Sequence, residues 1–143
     1  MIVKKKALVN YSPEQMYVLV NDIEAYPQFL SWCAGAEILS ADSDQVAARL
    51  DISKGILKKS FSTINRLYPS HMIEIRLLDG PFKRLAGFWR FDEKPNGRCL
   101  VVFDLEFEWS SVALSAVFGP IFHTLAGSLV QAFIKRAKDV YGK

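Results

Sequence analysis

Asp104, Glu106 and Glu108 stand at alternate positions near the end of the chain's most regular extended pattern. Carboxylates two residues apart on an extended chain share a face, and paired carboxylates are a residue type that moves protons. The same spacing describes the solvated side of a half-buried strand, with Lys54, Lys58, Lys59 and Arg66 available to pair across strands. We take the second reading, because no acid–base pair falls on the apolar side of any pattern. His71 and His123 lack the spacing of a shared metal site, and no Cys-x-x-Cys occurs. Gly80 to Gly87 lacks the Gly-Lys-Ser/Thr ending of a phosphate loop; dinucleotide and nucleophile-elbow patterns are also absent. The expectation is no catalytic residue and no metal. His123 lies in an apolar stretch, expected either to hydrogen-bond at a helix–sheet interface or to meet a bound ligand.

Two short segments rise above this background. Gly80-Pro81-Phe82-Lys83-Arg84-Leu85 reads as a strand-to-strand turn with Phe82 on one side and two cations on the other. It is either a tight turn with solvated cations or a loop at the mouth of a cavity with Phe82 in its gate. Tyr26-Pro27-Gln28-Phe29-Leu30-Ser31-Trp32-Cys33 holds three aromatics in seven residues. It is expected to form a hydrophobic knuckle over one end of a sheet.

The elements that must position these groups are legible. Residues 2–10 alternate as a first strand, and Ser12-Pro13-Glu14-Gln15 opens a helix with Ser12 as N-cap and Pro13 in the first turn. A second short helical piece starts at Asp22. After Gly35 the period becomes two: Val46, Ala48, Leu50 and Ile52; Leu57, Phe61 and Leu67; Ile73, Ile75 and Leu77; Leu85, Gly87, Trp89 and Phe91; Cys99, Val101, Phe103, Leu105, Phe107 and Trp109. Lys54-Gly55, Pro69-Ser70, Gly80-Pro81 and Pro95-Asn96-Gly97 separate them. From Ser110 to Ile134 no residue is charged, and Lys135, Arg136 and Lys138 follow. Gly119-Pro120 and scattered hydroxyls argue against a membrane span. The run is instead expected to be one helix, 112–141, buried along two ridges: Val117, Ile121, Leu125, Ser128 and Ala132, and Phe118, Phe122, Leu129 and Phe133.

A chain of 143 residues, half of them hydrophobic and 13% aromatic, is expected to be a single domain over 1–143 with a full core. A net charge of +3 is below the signal for dedicated nucleic-acid binding, and no DNA partner is expected. Two distant cysteines and no secretory leader suggest a reduced, cytoplasmic protein. The architecture is α+β: a curved antiparallel sheet of six to seven strands wrapped around a long C-terminal helix, with two short helices after the first strand. An apolar cavity of ~300–1,000 Å³ is expected between sheet and helix. Its wall is assigned to Phe61, Phe82, Trp89, Phe91, Phe103, Phe107, Phe118, Phe122 and Leu125.

This order of elements is similar to the helix-grip fold of START and Bet v 1 type domains. Tyr11–Met16, Asn21–Leu30, Trp32-Cys33, Asp51–Lys54, Asp79–Leu85, Trp89–Phe91 and Val130–Phe133 with Arg136 resemble, in order, the family of bacterial ribosome association toxins. That family shares a branch of the polyketide cyclase/dehydrase and lipid-transport superfamily with mitochondrial coenzyme Q-binding proteins. Ser31 departs from the proline that relatives often carry before the tryptophan. The resemblance implies non-enzymatic binding of ubiquinone or a related polyprenyl lipid in support of respiration, with transient membrane contact for loading. It also implies an alternative: binding the large ribosomal subunit, blocking subunit joining and translation initiation. Lys4–Lys6, Lys58, Lys59, Lys83, Arg84, Lys135, Arg136 and Lys138 are cations available for it, with Lys83, Arg84, Lys135, Arg136 and Lys138 taken as the contact. A cyclase or aromatase of the same superfamily is the third class.

Overall fold

The computed structural model describes residues 1–142. β1 (Ile2–Val9) leads into α1 (Pro13–Asn21) and a 3-10 helix (Ile23–Gln28). Six strands follow: β2 (Cys33–Ala41), β3 (Gln45–Lys54), β4 (Leu57–Tyr68), β5 (Met72–Asp79), β6 (Phe82–Lys94) and β7 (Arg98–Trp109). α2 (Val112–Gly127) and α3 (Leu129–Tyr141) complete the chain. All seven strands form one antiparallel sheet in the order β1-β7-β6-β5-β4-β3-β2. Consecutive strands from β2 onward are hairpins, and β1 closes the sheet against β7.

Local chemistry places the elements as the sequence suggests. Ser12 Oγ accepts from the Gln15 N–H at 3.1 Å while the Ser12 N–H donates to Gln15 Oε1 at 2.9 Å, a complete capping box. The inner face carries the alternating apolar sets, with Leu57, Ile73, Trp89, Cys99, Val101, Phe103 and Phe107 all buried. Close backbone approach fixes one glycine. A Cβ at Gly87 would lie 2.1 Å from the Asp104 carbonyl oxygen, so no other residue allows β6 and β7 to meet there. Gly80, at φ +146°, lets the β5–β6 turn pass over Phe61.

The outer face corrects one expectation. The three carboxylates of β7 do pair across strands, but with cations of the adjacent strands: Lys4 with Asp104 at 3.9 Å, Arg84 with Glu106 at 3.0 Å and Lys83 with Glu108 at 3.5 Å. Strand order decides this, because β7 lies between β1 and β6 while Lys54, Lys58, Lys59 and Arg66 belong to the far half of the sheet.

The long terminal run is two helices, not one. They meet at Ser128, whose N–H and Oγ both turn back to the Leu125 carbonyl. A serine that hydrogen-bonds its own turn, after a glycine of low helix propensity, loosens the helix there. Pro120 does not end α2; Thr124 Oγ donates to its carbonyl at 3.0 Å. The buried stripe is also narrower than expected. α2 packs on β1 and β7 and buries Gly119, Phe122, Leu125 and Ala126, and α3 buries Val130, Phe133 and Ala137. Val117 is 48% exposed, and Ser128 and His123 are exposed too, so His123 is not the interface histidine considered for it.

Candidate functional site

Between the inner face of β3–β7, the α2–α3 junction and the knuckle lies a cavity of about 90 Å³. Ala48, Leu50, Phe61, Ile75 and Leu85 form its sheet side with Trp89, Phe103 and Leu105. Phe122, Leu125, Ala126, Leu129 and Phe133 form its helix side, and Ile23, Tyr26 and Trp32 its end. Thr63 and Asn65 are the remaining wall residues. No side chain on this wall is charged at neutral pH.

The cavity is smaller than the ~300–1,000 Å³ typical of ligand pockets. Aromatic side chains intended for its wall fill it by packing on one another. Trp89 stacks on Phe103 at 4.3 Å between centroids and meets the edge of Phe133 at 5.3 Å. At about 90 Å³ the space is smaller than the engineered cavity of about 150 Å³ that holds benzene, so a ligand of ordinary pocket size enters only if the wall moves.

Five of the nine expected wall residues come together there: Phe61, Trp89, Phe103, Phe122 and Leu125. The other four lie elsewhere. Phe82 is no gate; it is 5% exposed and stacks on Trp109 at 4.4 Å, because Gly80-Pro81 turns it inward. Phe107 packs behind Phe122 at 4.8 Å. Phe91 meets the edge of Tyr17 under α1 at 6.0 Å. Phe118 sits beyond Trp109 at 5.9 Å, with Lys59 Nζ 5.6 Å from its ring centre.

Thirteen wall residues were not among those expected; most are apolar, and two pairs are informative. Tyr26 and Trp32 belong to the knuckle, which reaches across the end of the sheet and meets Phe133 through Tyr26 at 5.4 Å. Thr63 and Asn65 occupy inward positions of β4 after Phe61; the period-two signal was there, but their polarity hid it. Around the mouth Tyr26, Trp32, Leu50, Asn65, Ile75 and Leu129 are half-buried.

Acid–base and thiol chemistry are disfavoured by the environment. The Tyr26 hydroxyl donates to the Val20 carbonyl, and burial first, then Cys33 and Asp22, holds it protonated far above its usual range. Burial, with Asp92 nearby, pushes the Cys99 thiol up to about 11, and burial also raises that of Cys33, so neither is an activated nucleophile.

The cations proposed as a partner surface divide. Lys83 and Arg84 are neutralised by Glu108 and Glu106 on the outer face. Arg136 lies 5.0 Å over the Phe29 ring and donates to Gln28 Oε1 at 3.1 Å, pinning α3 to the knuckle. Lys135 and Lys138 are exposed, border a groove with Leu8, Asn10 and Tyr11 beside the free edge of β1, and form no ion pair among the described residues. Lys5 reaches toward Gly127 on the same edge. At the end of the sheet where α2 begins, Ile56 is 70% and Val112 88% exposed, and Leu78 and Ile2 are exposed at the same end. Val112–Tyr141 is long and apolar enough to cross a membrane by length and composition, yet it lies along the sheet.

A curved seven-stranded sheet gripping a C-terminal helix around an uncharged cavity defines a START-type helix-grip domain. The chain belongs to the polyketide cyclase / dehydrase and lipid transport family, which matches residues 9–134. It is similar to the ribosome association toxin RatA of Escherichia coli K12, with 45% identity over 139 residues that cover 97% of this chain and 88% of the relative. It is also similar to the mitochondrial coenzyme Q-binding protein COQ10 homolog B of Xenopus laevis, with 29% identity over 140 residues, 95% of this chain and 57% of that one. A START superfamily protein from Mycobacterium smegmatis superposes with a TM-score of 0.77 at 27% identity, covering 97% and 98% of the two chains.

Proposed function

We propose that this protein is a non-enzymatic carrier of a neutral isoprenoid lipid of the ubiquinone class, held in the cavity and supplied to respiratory reactions. The observation that carries the reading is the wall itself: wholly uncharged, rich in aromatics and open at a half-buried mouth. A charged lipid would lose its hydration there without a partner, whereas an isoprenoid gains by leaving water. Loading requires α2 to lift. It buries only three side chains, Phe122, Leu125 and Ala126, and meets α3 at the Ser128 joint, while α3 is tied down by Arg136 and by Tyr141, whose hydroxyl donates to the Gln15 carbonyl at 2.9 Å. Exposed Val112, Val117 and Ile56, with Lys54 and Lys58 on the same end, suit a transient contact with a bilayer during loading. Mass spectrometry of the organic extract of purified protein tests the proposal: a polyprenyl quinone at near-stoichiometric yield is expected, and extracts holding only bulk membrane phospholipid would contradict it.

A second reading is favoured by one edge's cations. The similarity to a ribosome association toxin, together with Lys5, Lys135 and Lys138, which form no ion pair among the described residues along that edge, supports docking on the large ribosomal subunit in the cytoplasm. Co-sedimentation with large subunits across a salt series tests it; no binding even at low salt would remove it.

A further inference from the structure

We infer that the cavity selects ligands carrying an uncharged hydrogen-bond acceptor, which Thr63 and Asn65 of β4 recognise. The inference rests on the lipid-binding reading above and names the chemistry that reading leaves open.

The inward positions of β4 would be apolar throughout if the strand only packed a core. Instead Thr63 and Asn65 follow Phe61 at consecutive inward positions. Their cross-strand neighbours are all apolar: Ala48 and Leu77 beside Thr63, Val46 and Ile75 beside Asn65. Thr63 is 8% exposed. Two polar side chains set among apolar neighbours cost stability unless each finds a partner.

They find one in each other, incompletely. The Thr63 hydroxyl donates to Asn65 Oδ1 at 2.9 Å. That bond orients the amide and consumes the one hydroxyl proton. Asn65 Nδ2 keeps two hydrogens with no protein acceptor among the described residues, at a half-buried position of the mouth. The other polar groups on the wall are the Trp32 and Trp89 indole N–H groups, which only donate, and the Tyr26 hydroxyl, which is already spent on Val20. Lone pairs also remain on Thr63 Oγ1, Asn65 Oδ1 and the Tyr26 oxygen, so the wall keeps both donors and acceptors, and Asn65 Nδ2 is its amide donor at the mouth.

A cation-free wall with a free amide donor at its mouth favours one class of ligand. Carbonyl or ether oxygens on a neutral head accept from Asn65 without bringing charge. A free carboxylate or a phosphate also accepts, but would be desolvated with no cation on the wall. A pure hydrocarbon fills the cavity and leaves the amide unpaired. The order of affinity follows: neutral lipid with a carbonyl-bearing head, then hydrocarbon of equal length, then the acidic lipid.

The experiment titrates the full chain with decylubiquinone, squalene and farnesyl phosphate, following the fluorescence of Trp32 and Trp89. It repeats the titrations with Asn65→Leu and with the nearly isosteric Thr63→Val, each checked for folding by circular dichroism. Asn65→Leu is expected to weaken decylubiquinone roughly three- to tenfold, the effect of one hydrogen bond, while squalene binding does not weaken. Thr63→Val, which frees the amide to rotate, shifts decylubiquinone in the same direction and reports even if the first variant does not fold. Equal decylubiquinone affinity in wild type and both variants, or farnesyl phosphate bound as tightly as decylubiquinone, overturns the inference while leaving a lipid carrier in place. Wild type that binds none of the three overturns the carrier reading itself.

Discussion

Single atoms set the limits of this cavity. A methyl at Gly87 would collide with the backbone of Asp104, and neither strand can move without breaking the β6–β7 ladder. Gly87→Ala is expected to cost about 1–3 kcal/mol, in the range of overpacked cores, measured by urea unfolding. Ala48 offers the opposite test. Its side chain faces a space of 90 Å³, and the extra carbons of a leucine would occupy it. Ala48→Leu should leave the melting temperature close to wild type and abolish ligand uptake; a large loss of stability would mean that the space is not there to be filled. The sequence disclosed these positions unevenly. Alternation placed Phe61, Trp89 and Phe103 inward, and they reached the wall. It placed Phe91 and Phe107 inward equally well, and they went to the core. Which buried ring borders a void depends on how far the helix stands off the sheet, and no spacing along the chain encodes that. Thr63 and Asn65 were missed for a simpler reason: sorting by hydrophobicity discards a polar residue at an inward position, which is where a binding group would be.

At the scale of elements, the two halves of the terminal run have different roles. α3 is tied to α1 through Tyr141 and to the knuckle through Arg136, whereas α2 rests on few buried side chains between the Ser111 N-cap and Ser128. Local stability follows the number of such ties. Hydrogen exchange by mass spectrometry should show α2 amides exchanging faster than those of α3 and β7, with α2 slowing when ligand is added. Equal protection along both helices would remove the lifting step. The run's length and start were legible from its lack of charge. Its joint was not, because Gly127-Ser128 is a mild signal that only the hydrogen bonds to Leu125 turn into a break. The strands from β3 to β7 were read from alternation, with glycine, proline or asparagine at the turns between them; β2 was not assigned, because Asp42-Ser43-Asp44 turns the chain without such a mark.

For the whole molecule, charge matters by where it is paired. The cations of the Gly80–Leu85 turn were counted as free because sequence shows their number, whereas only strand order shows that Glu106 and Glu108 lie beside them. The ribosome-docking proposal therefore rests on the other edge. Lys135→Glu with Lys138→Glu should weaken co-sedimentation with large subunits and flatten its salt dependence by about 0.7–0.9 per lost phosphate contact. Lys83→Glu with Arg84→Glu should have the smaller effect on both, and the reverse ranking would return the contact to the outer face.

The central claim is that the cavity beneath α2 takes up a neutral quinone-type lipid. The most direct measurement is the melting temperature of the wild type and of Ala48→Leu with and without excess decylubiquinone. A ligand present at a hundredfold excess over its dissociation constant stabilises the native state by about 2.7 kcal/mol. A rise of several degrees is predicted for the wild type and none for Ala48→Leu. No rise in the wild type, or an equal rise in the filled variant, would contradict the account.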